Sequence, residues 1–249
     1  MGPAGWRRRQ GVAGGGGAVA ASRVAAVGVN GGGRRNGIVT PKGDVRRVSV
    51  PGGSAVTLNA DTAVRQAFVA EERRIDLLRG EALFDVAHDP TRPFRVFADD
   101  VRIEAIGTSF TVRRHENGDV EVVVREGLVD VRRVGSAHGV QLAAATTSRV
   151  SGEAPIRPQA LTPDAVDKSL AWREGRLDLT GLTLAEAAAE FARYSDYRIA
   201  FETMDIGRLE VSGVYSISDP EGFAQAAALS LGLVALQGPD GATLAAAAS

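Results

Sequence analysis

The stretch from Arg73 to Asp89 reads Arg-Arg-Ile-Asp-Leu-Leu-Arg-Gly-Glu-Ala-Leu-Phe-Asp-Val-Ala-His-Asp, and it decides the fold. Ile75 and Leu77 alternate, Gly80 interrupts the pattern, and an apolar face resumes at Leu83. This arrangement is typical of a strand, a glycine kink and a second strand. It predicts a β element that turns a corner at Gly80.

A second stretch, from Val120 to Val131, repeats this pattern. Its valines alternate on both sides of Arg125-Glu126-Gly127. Two such units, about forty residues apart, predict stacked β layers. No helical period of useful length occurs before residue 160. We therefore predict an all-β domain over residues 38–151, with strands that wind as a solenoid-like or distorted sandwich.

The chain changes character after residue 151. Three prolines predict a linker over residues 152–168. Beyond it, Thr183 and Glu186 fit a capping box at the start of a helix, and Asp219 is placed to cap a second helix that Gly232 ends. Short apolar runs around these helices predict strands over 172–179, 197–201, 209–215, 233–236 and 242–245. Residues 169–249 thus predict a small α+β domain of two βαβ-like halves.

Composition excludes several classes of protein. A formal net charge of −1 gives no broad electrostatic argument for binding nucleic acid. The absence of cysteine excludes disulfides, a thiol nucleophile and a thiolate metal site. The glycines at 14–17 lack the preceding strand and the following lysine of a phosphate-binding loop. We expect no cofactor.

Residues 1–33 carry three arginines at 7–9, followed by a glycine- and alanine-rich apolar run that Arg23 interrupts. A basic cluster before an apolar run is the layout of a signal anchor. A spanning helix needs about 20 apolar residues, and a central arginine costs about 2.5–3.5 kcal/mol on insertion scales. We therefore predict a degenerate membrane anchor in this segment, with a disordered tail or a mis-set start as the alternatives.

Three phrases in this order resemble the FecR family: residues 78–86, 106–112 and 125–131. The resemblance spans roughly residues 38 to 249, and the part after residue 169 looks like the STN domain of secretins and TonB-dependent receptors. It implies a FecR-type β domain followed by an STN-like domain.

The resemblance also implies a function. Such proteins sit in the inner membrane with their bulk in the periplasm. They relay a signal from a TonB-dependent outer-membrane receptor to an ECF sigma factor that controls the uptake of iron or another nutrient. Release by periplasmic or intramembrane proteases belongs to this scheme. The family also places a cytoplasmic sigma-binding helical domain ahead of the anchor. The chain has no counterpart of it, which puts direct sigma-factor binding in doubt.

Within the family motif, the bond between Gly107 and Thr108 carries a chemical hypothesis. Some FecR-like regulators cleave themselves at such a pair. The threonine hydroxyl attacks the preceding carbonyl, and water opens the resulting ester. Glycine leaves room for the attack, and Thr108 supplies the hydroxyl. The alternative is that Gly107 only permits a tight bend. Apart from this single turnover, we expect no enzymatic activity.

The candidate partner-binding residues are the tyrosines of the C-terminal part, Tyr194, Tyr197 and Tyr215, because each combines an aromatic body with a polar end. Phe191 and Phe223 lie at helical spacing and are assigned to the core. An open strand edge in this part would suit strand addition by a partner, and residues 211–215 are a candidate for that edge.

Four residues could instead form an acidic or metal site: Glu81, Asp85, His88 and Asp89. The corresponding alternative function is a secreted β-solenoid carbohydrate hydrolase that uses Glu81 and Asp85. Leu83 separates these two on their shared face, so solvated strand edges and pairing with Arg79 are favoured, and we predict no metal site. His115 and His138 lie in turn-like contexts and are predicted surface residues. A third alternative is a scaffold fragment that keeps the fold without the relay.

Overall fold

The structure is a computed structural model and describes residues 36–247. Its first part is one curled sheet of thirteen strands. These strands are β1 (Asn36–Thr40), β2 (Arg46–Val50), β3 (Ser54–Leu58), β4 (Thr62–Phe68), β5 (Arg73–Asp85), β6 (Phe94–Ala98), β7 (Val101–Ala105), β8 (Ser109–Arg114), β9 (Val120–Glu126), β10 (Leu128–Arg133), β11 (Val140–Ala143), β12 (Thr146–Val150) and β13 (Gln159–Ala160).

Strand β5 turns the predicted corner at Gly80. Its first half pairs with β4 and β6, and its second half pairs with β3 and β8. Gly80 has φ of 82°, and a Cβ atom there would lie 2.3 Å from Thr62 Oγ1. A β-bulge at Leu78, between the pairs that Leu77 and Arg79 make with β4, adds to the bend. The prediction of strand, kink and strand is confirmed.

A second corner lies at Gly127, which separates β9 from β10 and has φ of 86°. Strand β9 pairs with β8 and β12, whereas β10 pairs with β7 and β11. The two corners curl the sheet into a half-barrel whose two halves face each other. The prediction of an all-β region is confirmed, and the curl replaces the predicted stacking of solenoid layers because β5 runs through both halves.

Three phenylalanines lie in the core of this sheet. Phe84 stacks on Phe110 with 5.3 Å between ring centroids. Phe94 packs against Phe84 with 6.0 Å between their ring centroids. All three rings are fully buried. Alternate valine and isoleucine side chains of the surrounding strands fill the remaining space.

The second part, within the described residues, contains four α-helices and several short paired strands. Its elements are α1 (Pro163–Leu170), a 3₁₀ turn (Ala171–Glu174), β14 (Arg176–Asp178), β15 (Leu182–Thr183), α2 (Leu184–Ala192), β16 (Arg198–Phe201), α3 (Met204–Gly207), β17 (Glu210–Val211), β18 (Val214–Ser216), α4 (Pro220–Leu231), β19 (Leu233–Gly238) and β20 (Gly241–Ala246). Strands β16, β20 and β19 form a three-stranded sheet in that order, and β14 pairs with β18 and β15 with β17.

The helix caps form as predicted. Thr183 and Glu186 form a reciprocal capping box at α2. Asp219 caps α4, and Gly232 ends it in the left-handed conformation with φ of 67°. Phe191 and Phe223 are buried and stack on each other at 4.8 Å. These residues anchor a second apolar core, which also includes Leu83 of β5.

Two local predictions differ from the structure. Residues 152–168, predicted as a linker, contain β13 and α1. Pro163 is the first residue of α1 and Thr162 caps it, so this proline starts a helix rather than marking a loop. Residues 172–179, predicted as one strand, begin as a 3₁₀ turn. Gly175, with φ of 73°, ends this turn, and only Arg176–Asp178 is a strand.

Within residues 36–247, no helix is long and apolar enough to cross a membrane. The predicted anchor in residues 1–33 lies outside the described residues. The boundaries of the predicted domains, and the likeness of residues 169–249 to an STN domain, stay predictions.

Candidate functional site

The most polar buried region is the junction at which the C-terminal end of α2 meets β5. Gly80 turns the chain inward. The next residue, Glu81, therefore lies beneath α2. Glu81 is only 6% exposed. The first residue after α2, Arg193, approaches it from the other side, with Nη2 2.7 Å from Glu81 Oε2. The corner in the sheet and the end of a helix thus bring a carboxylate and a guanidinium together away from solvent.

Four further side chains complete what we call the junction cluster: Asn59, Arg113, Glu190 and Tyr194, together with Glu81 and Arg193. Arg193 Nη1 lies 2.9 Å from Glu190 Oε2, and Arg113 Nη2 lies 2.6 Å from Glu190 Oε1. Asn59 Nδ2 donates to Glu81 Oε2 at 3.0 Å, and the Tyr194 hydroxyl donates to Asn59 Oδ1 at 3.0 Å. Charges of opposite sign therefore alternate along one connected network that joins the two parts of the chain.

The electrostatics of the junction cluster favour the charged forms of its ion pairs. Burial alone would lower the pKa of Arg193, but the charges of Glu81 and Glu190 raise it above its ordinary value. Burial alone would raise the pKa of Glu190, but the charges of Arg113 and Arg193 lower it. For Tyr194, burial raises the pKa to about 12. Part of each pKa shift comes from a partner across the junction, which is Glu81 for Arg193 and Arg113 for Glu190.

Cavities lie on both sides of the junction cluster. One, of about 300 Å³, is lined by residues of β9, β12 and α1 and by the indole of Trp172. A larger cleft of about 620 Å³ lies on the other side, between the β8–β9 turn and α2. Among the described residues, Trp172 Nε1 and Thr147 Oγ1 are buried without a hydrogen-bond partner. Both of these residues line the smaller cavity. The junction is therefore less tightly packed than either core.

The Gly107–Thr108 bond lies in the loop between β7 and β8. Two backbone hydrogen bonds hold this loop: Val86 N donates to Thr108 O at 2.9 Å and Asp89 N donates to Ile106 O at 3.0 Å. Thr108 is 7% exposed, and its Oγ1 has no hydrogen-bond partner among the described residues. A buried threonine hydroxyl without a partner is uncommon and is free to act in another role.

The surroundings of this bond explain its glycine. A Cβ atom on Gly107 would lie 2.8 Å from His88 Nδ1, so the imidazole packs directly over the glycine. Gly127 closes the other side, since a Cβ there would lie 2.7 Å from Thr108 Cγ2 and 3.1 Å from Gly107 O. Gly107 does not have a positive φ. The glycine is therefore needed for close packing and not for a strained backbone.

The structure separates the three predicted partner-binding tyrosines. Tyr194 is buried in the junction cluster, so a partner reaches it only if the two parts move apart. Tyr197 is partly exposed, and its hydroxyl donates to Gln237 Oε1 at 2.8 Å. Tyr215 is partly exposed and packs edge to face on Phe223 at 4.9 Å. The predicted edge strand at 211–215 is divided between β17 and β18, each paired with a different strand. Partner binding by these tyrosines stays a prediction.

The acidic residues do not converge. Asp85 pairs with Arg47 at 2.8 Å and accepts a hydrogen bond from Ser109, whereas Glu81 belongs to the junction cluster. Glu81 was predicted on a solvated strand edge paired with Arg79. That prediction is wrong, because α2 covers Glu81, and Arg79 pairs with Asp61.

The other candidate residues do not form a shared site either. Hydrogen bonds from Thr91 and Arg92 lower the pKa of Asp89 to about 2. His138 is exposed as predicted, whereas His115 is partly buried, with Nε2 3.1 Å from Glu121 Oε2. No group of three metal-ligating side chains occurs in residues 36–247. The arrangement gives the hydrolase alternative no acid pair.

Sequence reasoning missed Arg193, Glu190, Asn59 and Arg113 as members of one site. A signal for part of it existed. A glutamate that follows a glycine corner and precedes a buried apolar strand requires a cation. Glu190 and Arg193, three apart on a helix, could supply one. Which cation meets Glu81 depends on the docking of the two parts, and that docking is not visible in the local sequence.

The fold defines a class of protein: a curled β-sheet domain with a small helix-and-strand part docked on its corner strand. The model of one family, described as FecR protein, matches residues 36–130. This region of the chain is a FecR domain, which confirms the resemblance seen in its motifs. The match ends within β10, so it leaves the rest of the sheet and the whole second part unassigned.

Solved structures share the fold over a longer range. A candidate anti-sigma factor from Parabacteroides distasonis ATCC 8503, solved at 1.65 Å, has a TM-score of 0.72 and 22% sequence identity, and the match covers 86% of this chain and 100% of that one. A second structure of such a protein from this organism, at 2.50 Å, gives a TM-score of 0.71 over 86% of this chain and 99% of that one, also at 22% identity. No curated protein matches. The similarity is one of fold, and it extends beyond the FecR domain.

Proposed function

We propose that this chain is a sigma-factor regulator of the FecR type, whose two described parts sense a signal outside the cytoplasm. The observation that carries this proposal is the FecR domain at residues 36–130. The shared fold with candidate anti-sigma factors, which includes the second part, supports it. The absence of an acid pair or a metal-ligand cluster among the described residues leaves little support for the hydrolase alternative.

A reporter assay tests this role. The sigma factor encoded beside the chain is expressed with a promoter that depends on it, with and without the full-length chain. We expect the chain to change the reporter output. A variant with Gly80 changed to Val, which disrupts the FecR sheet, should lose the effect at equal protein level. Equal output with and without the wild-type chain would refute the role.

The finer scheme places the chain in the inner membrane, with its bulk in the periplasm, and makes the signalling domain of a TonB-dependent outer-membrane receptor its partner. In this scheme the second part, as an STN-like domain, receives the partner. Iron or another nutrient is the signal, and proteases complete the response. Membrane fractionation of the full chain tests the location. Recovery of all the protein in the soluble fraction would exclude an anchor.

An open strand edge in the second part supports docking by strand addition. Strand β19 pairs only with β20 among the described strands, in a register that leaves the backbone groups of Leu233, Ala235 and Gln237 facing away from β20. Val234 and Leu236 on this strand are exposed, and no charge or proline protects the edge. Such an edge accepts an additional strand through main-chain hydrogen bonds.

A pull-down with the signalling domain of the receptor encoded beside the chain tests the edge. Leu236→Lys should weaken binding, whereas Leu229→Lys is the matched control, because Leu229 is an exposed leucine on α4. Tyr197→Ala and Tyr215→Ala test the predicted contact residues in the same assay. Binding that survives Leu236→Lys unchanged would reject the edge while leaving the regulator role intact.

A second candidate activity is self-cleavage at Gly107–Thr108, favoured by the buried hydroxyl of Thr108, which has no hydrogen-bond partner among the described residues. The hydroxyl oxygen attacks the Gly107 carbonyl carbon, the carbon–nitrogen bond breaks, and the hydroxyl proton passes to the released nitrogen. Water then hydrolyses the ester, which leaves a carboxylate on Gly107 and restores the hydroxyl. Mass spectrometry should find a fragment ending at Gly107 in the wild type and in Thr108→Ser. Thr108→Val should remain intact. An intact wild-type chain would exclude the reaction.

A further inference from the structure

The junction cluster lies between the two apolar cores. Glu81 and Arg193 belong to neither of them. Yet Glu81 is as buried as many core residues and its carboxylate meets Arg193 at 2.7 Å. Burying two charges is costly unless each is paired, and removing one partner then leaves the other uncompensated. The contact therefore depends strongly on both parts being together.

The rest of the junction resists separation weakly. Cavities of about 300 Å³ and 620 Å³ flank the cluster, and the hydrogen-bonding atoms of Trp172 and Thr147 find no partner among the described residues. Few residues of the sheet, among them Ala60 and Leu83, belong to the apolar core of the second part. Residues 154–158, which lead from the sheet to the second part, form neither helix nor strand.

We propose that the junction cluster is a latch: the Glu81–Arg193 pair holds the second part on the corner of the FecR sheet, and its rupture lets the second part separate from the sheet. This inference rests on the proposed function and deepens it by naming the contact that a partner's docking would release. Opening would expose Leu83 and Tyr194, which are buried in the docked arrangement. A network of charges suits this role for two reasons. Its ion pairs form only when the two parts dock in one arrangement, and its charged side chains are hydrated again when the parts separate.

The purified full-length chain, without any partner, tests the latch. Arg193→Met removes the cation from Glu81 while Arg113 still neutralises Glu190. We expect amide hydrogen exchange in α2 to rise by about tenfold or more, because this nine-residue helix loses the packing that supports it. Exchange in β6 and β7, within the sheet, should stay within about twofold of wild type. Exchange in α2 equal to wild type would overturn the proposal.

The double variant Glu81→Gln with Arg193→Met separates a charge latch from mere loss of contact. The side-chain carbonyl of the introduced glutamine can still accept the hydrogen bond from Asn59 Nδ2, and no buried charge is left unpaired. We expect exchange in α2 to return toward the wild-type rate, because replacing both members of a buried pair is often close to neutral. A double variant as open as Arg193→Met would show that charge is not the cause and would reject the latch.

Lys42 and Asp196 supply the matched control. They form a second ion pair across the same junction at 2.7 Å, but their side chains are 45% and 92% exposed. Lys42→Gln should change exchange in α2 by less than about twofold, because exposed pairs contribute little. These measurements need no sigma factor or receptor. The two proposals can therefore fail separately. If Arg193→Met opens the junction as expected but the wild-type chain does not change the reporter output, the regulator role is refuted and the latch is retained.

Discussion

The core of the curled sheet and the junction cluster hold the molecule by opposite means. In the sheet, the ring of Phe84 packs against those of Phe94 and Phe110. At the junction, Glu81 and Arg193 meet between two cavities. Each apolar side chain of the sheet makes many small contacts, whereas removing one member of a buried ion pair leaves the other member uncompensated. The sheet is therefore the durable frame of the molecule, and the junction is the place where a single contact decides its arrangement.

Gly80 connects the two regions, and its replacement should have the largest effect. We expect Gly80→Val to destabilise the chain by about 4 kcal/mol. A side chain at positive φ costs about 1–2 kcal/mol, and overpacking adds about 1–3 kcal/mol. The overpacking is specific, since a Cβ atom would lie 2.7 Å from the backbone oxygen of Asp61. Urea unfolding followed by far-ultraviolet circular dichroism measures the loss.

Gly118→Val is the matched control for that change. Gly118 has φ of 87°, but a Cβ atom there would meet nothing within 4 Å. Only the conformational cost remains, so we expect a loss of about 1–2 kcal/mol. Equal losses in the two variants would mean that Gly80 serves the backbone conformation alone and that its close contact with the Asp61–Thr62 corner is unimportant.

These two glycines also illustrate how far the sequence predicts the fold. The alternation around Gly80 and Gly127 is a local signal, and it predicts both corners. The caps at Thr183, Asp219 and Gly232 are local as well. Pro163 was misread because a proline opens a helix as readily as it marks a loop, and only the capping hydrogen bond of Thr162 distinguishes them.

The candidate site was less predictable for a physical reason. Asn59 and Glu81 are close in space because strands β3 and β5 pair, which the alternation suggests. Arg193 reaches them from 112 residues further along the chain. Such a contact depends on the docking of two separately stabilised parts, and no periodic pattern encodes docking. The Gly107–Thr108 motif was visible, but the packing of His88 over Gly107 was not.

The hydroxyl of Tyr194 should matter more to the junction than to any external partner. Tyr194→Phe removes its hydrogen bond to Asn59 Oδ1, and we expect a loss of about 1–1.5 kcal/mol, typical of a buried hydrogen bond. Tyr197→Phe is the control, because its bond to Gln237 is exposed, and it should cost less than about 0.5 kcal/mol. Thermal unfolding compares them. Equal shifts would indicate that the Tyr194 bond adds nothing to docking.

Acid should open the junction before it unfolds the sheet. The pKa of Glu190 is lowered below its ordinary value of 4.5 by Arg113 and Arg193, which outweigh burial. The folded state thus binds fewer protons than the unfolded state, so the contribution of Glu190 is complete above about pH 4.5 and is lost as the pH falls below it. We expect a smaller effect than that of Tyr194→Phe, because a protonated Glu190 can still accept hydrogen bonds.

Hydrogen exchange in α2, followed as the pH falls from neutral through 4.5, the ordinary pKa of Glu190, and below it, measures this opening once corrected for the intrinsic rate. Glu190→Gln should flatten the dependence, because the titrating group is gone. Asp89 also has a lowered pKa, at about 2, but it lies on the loop that follows β5, away from α2. Its titration should therefore leave exchange in α2 unchanged. A wild-type profile identical to that of Glu190→Gln would show that Glu190 does not control the junction.

The smallest expected change is a gain in stability within the sheet. Ala145 joins β11 to β12 with φ of 56°, a conformation that costs a non-glycine residue about 1–2 kcal/mol relative to glycine. Glycine loses more entropy on folding, which offsets part of this gain. Ala145→Gly should therefore stabilise the chain by about 0.5–1 kcal/mol, measured as a higher urea midpoint with an unchanged slope. The gain should appear in the exchange of sheet strands that open only on global unfolding. If it appeared only in α2, the turn at Ala145, whose backbone N and O bond Val124 and Leu161, would belong to the junction and the contrast between frame and latch would fail.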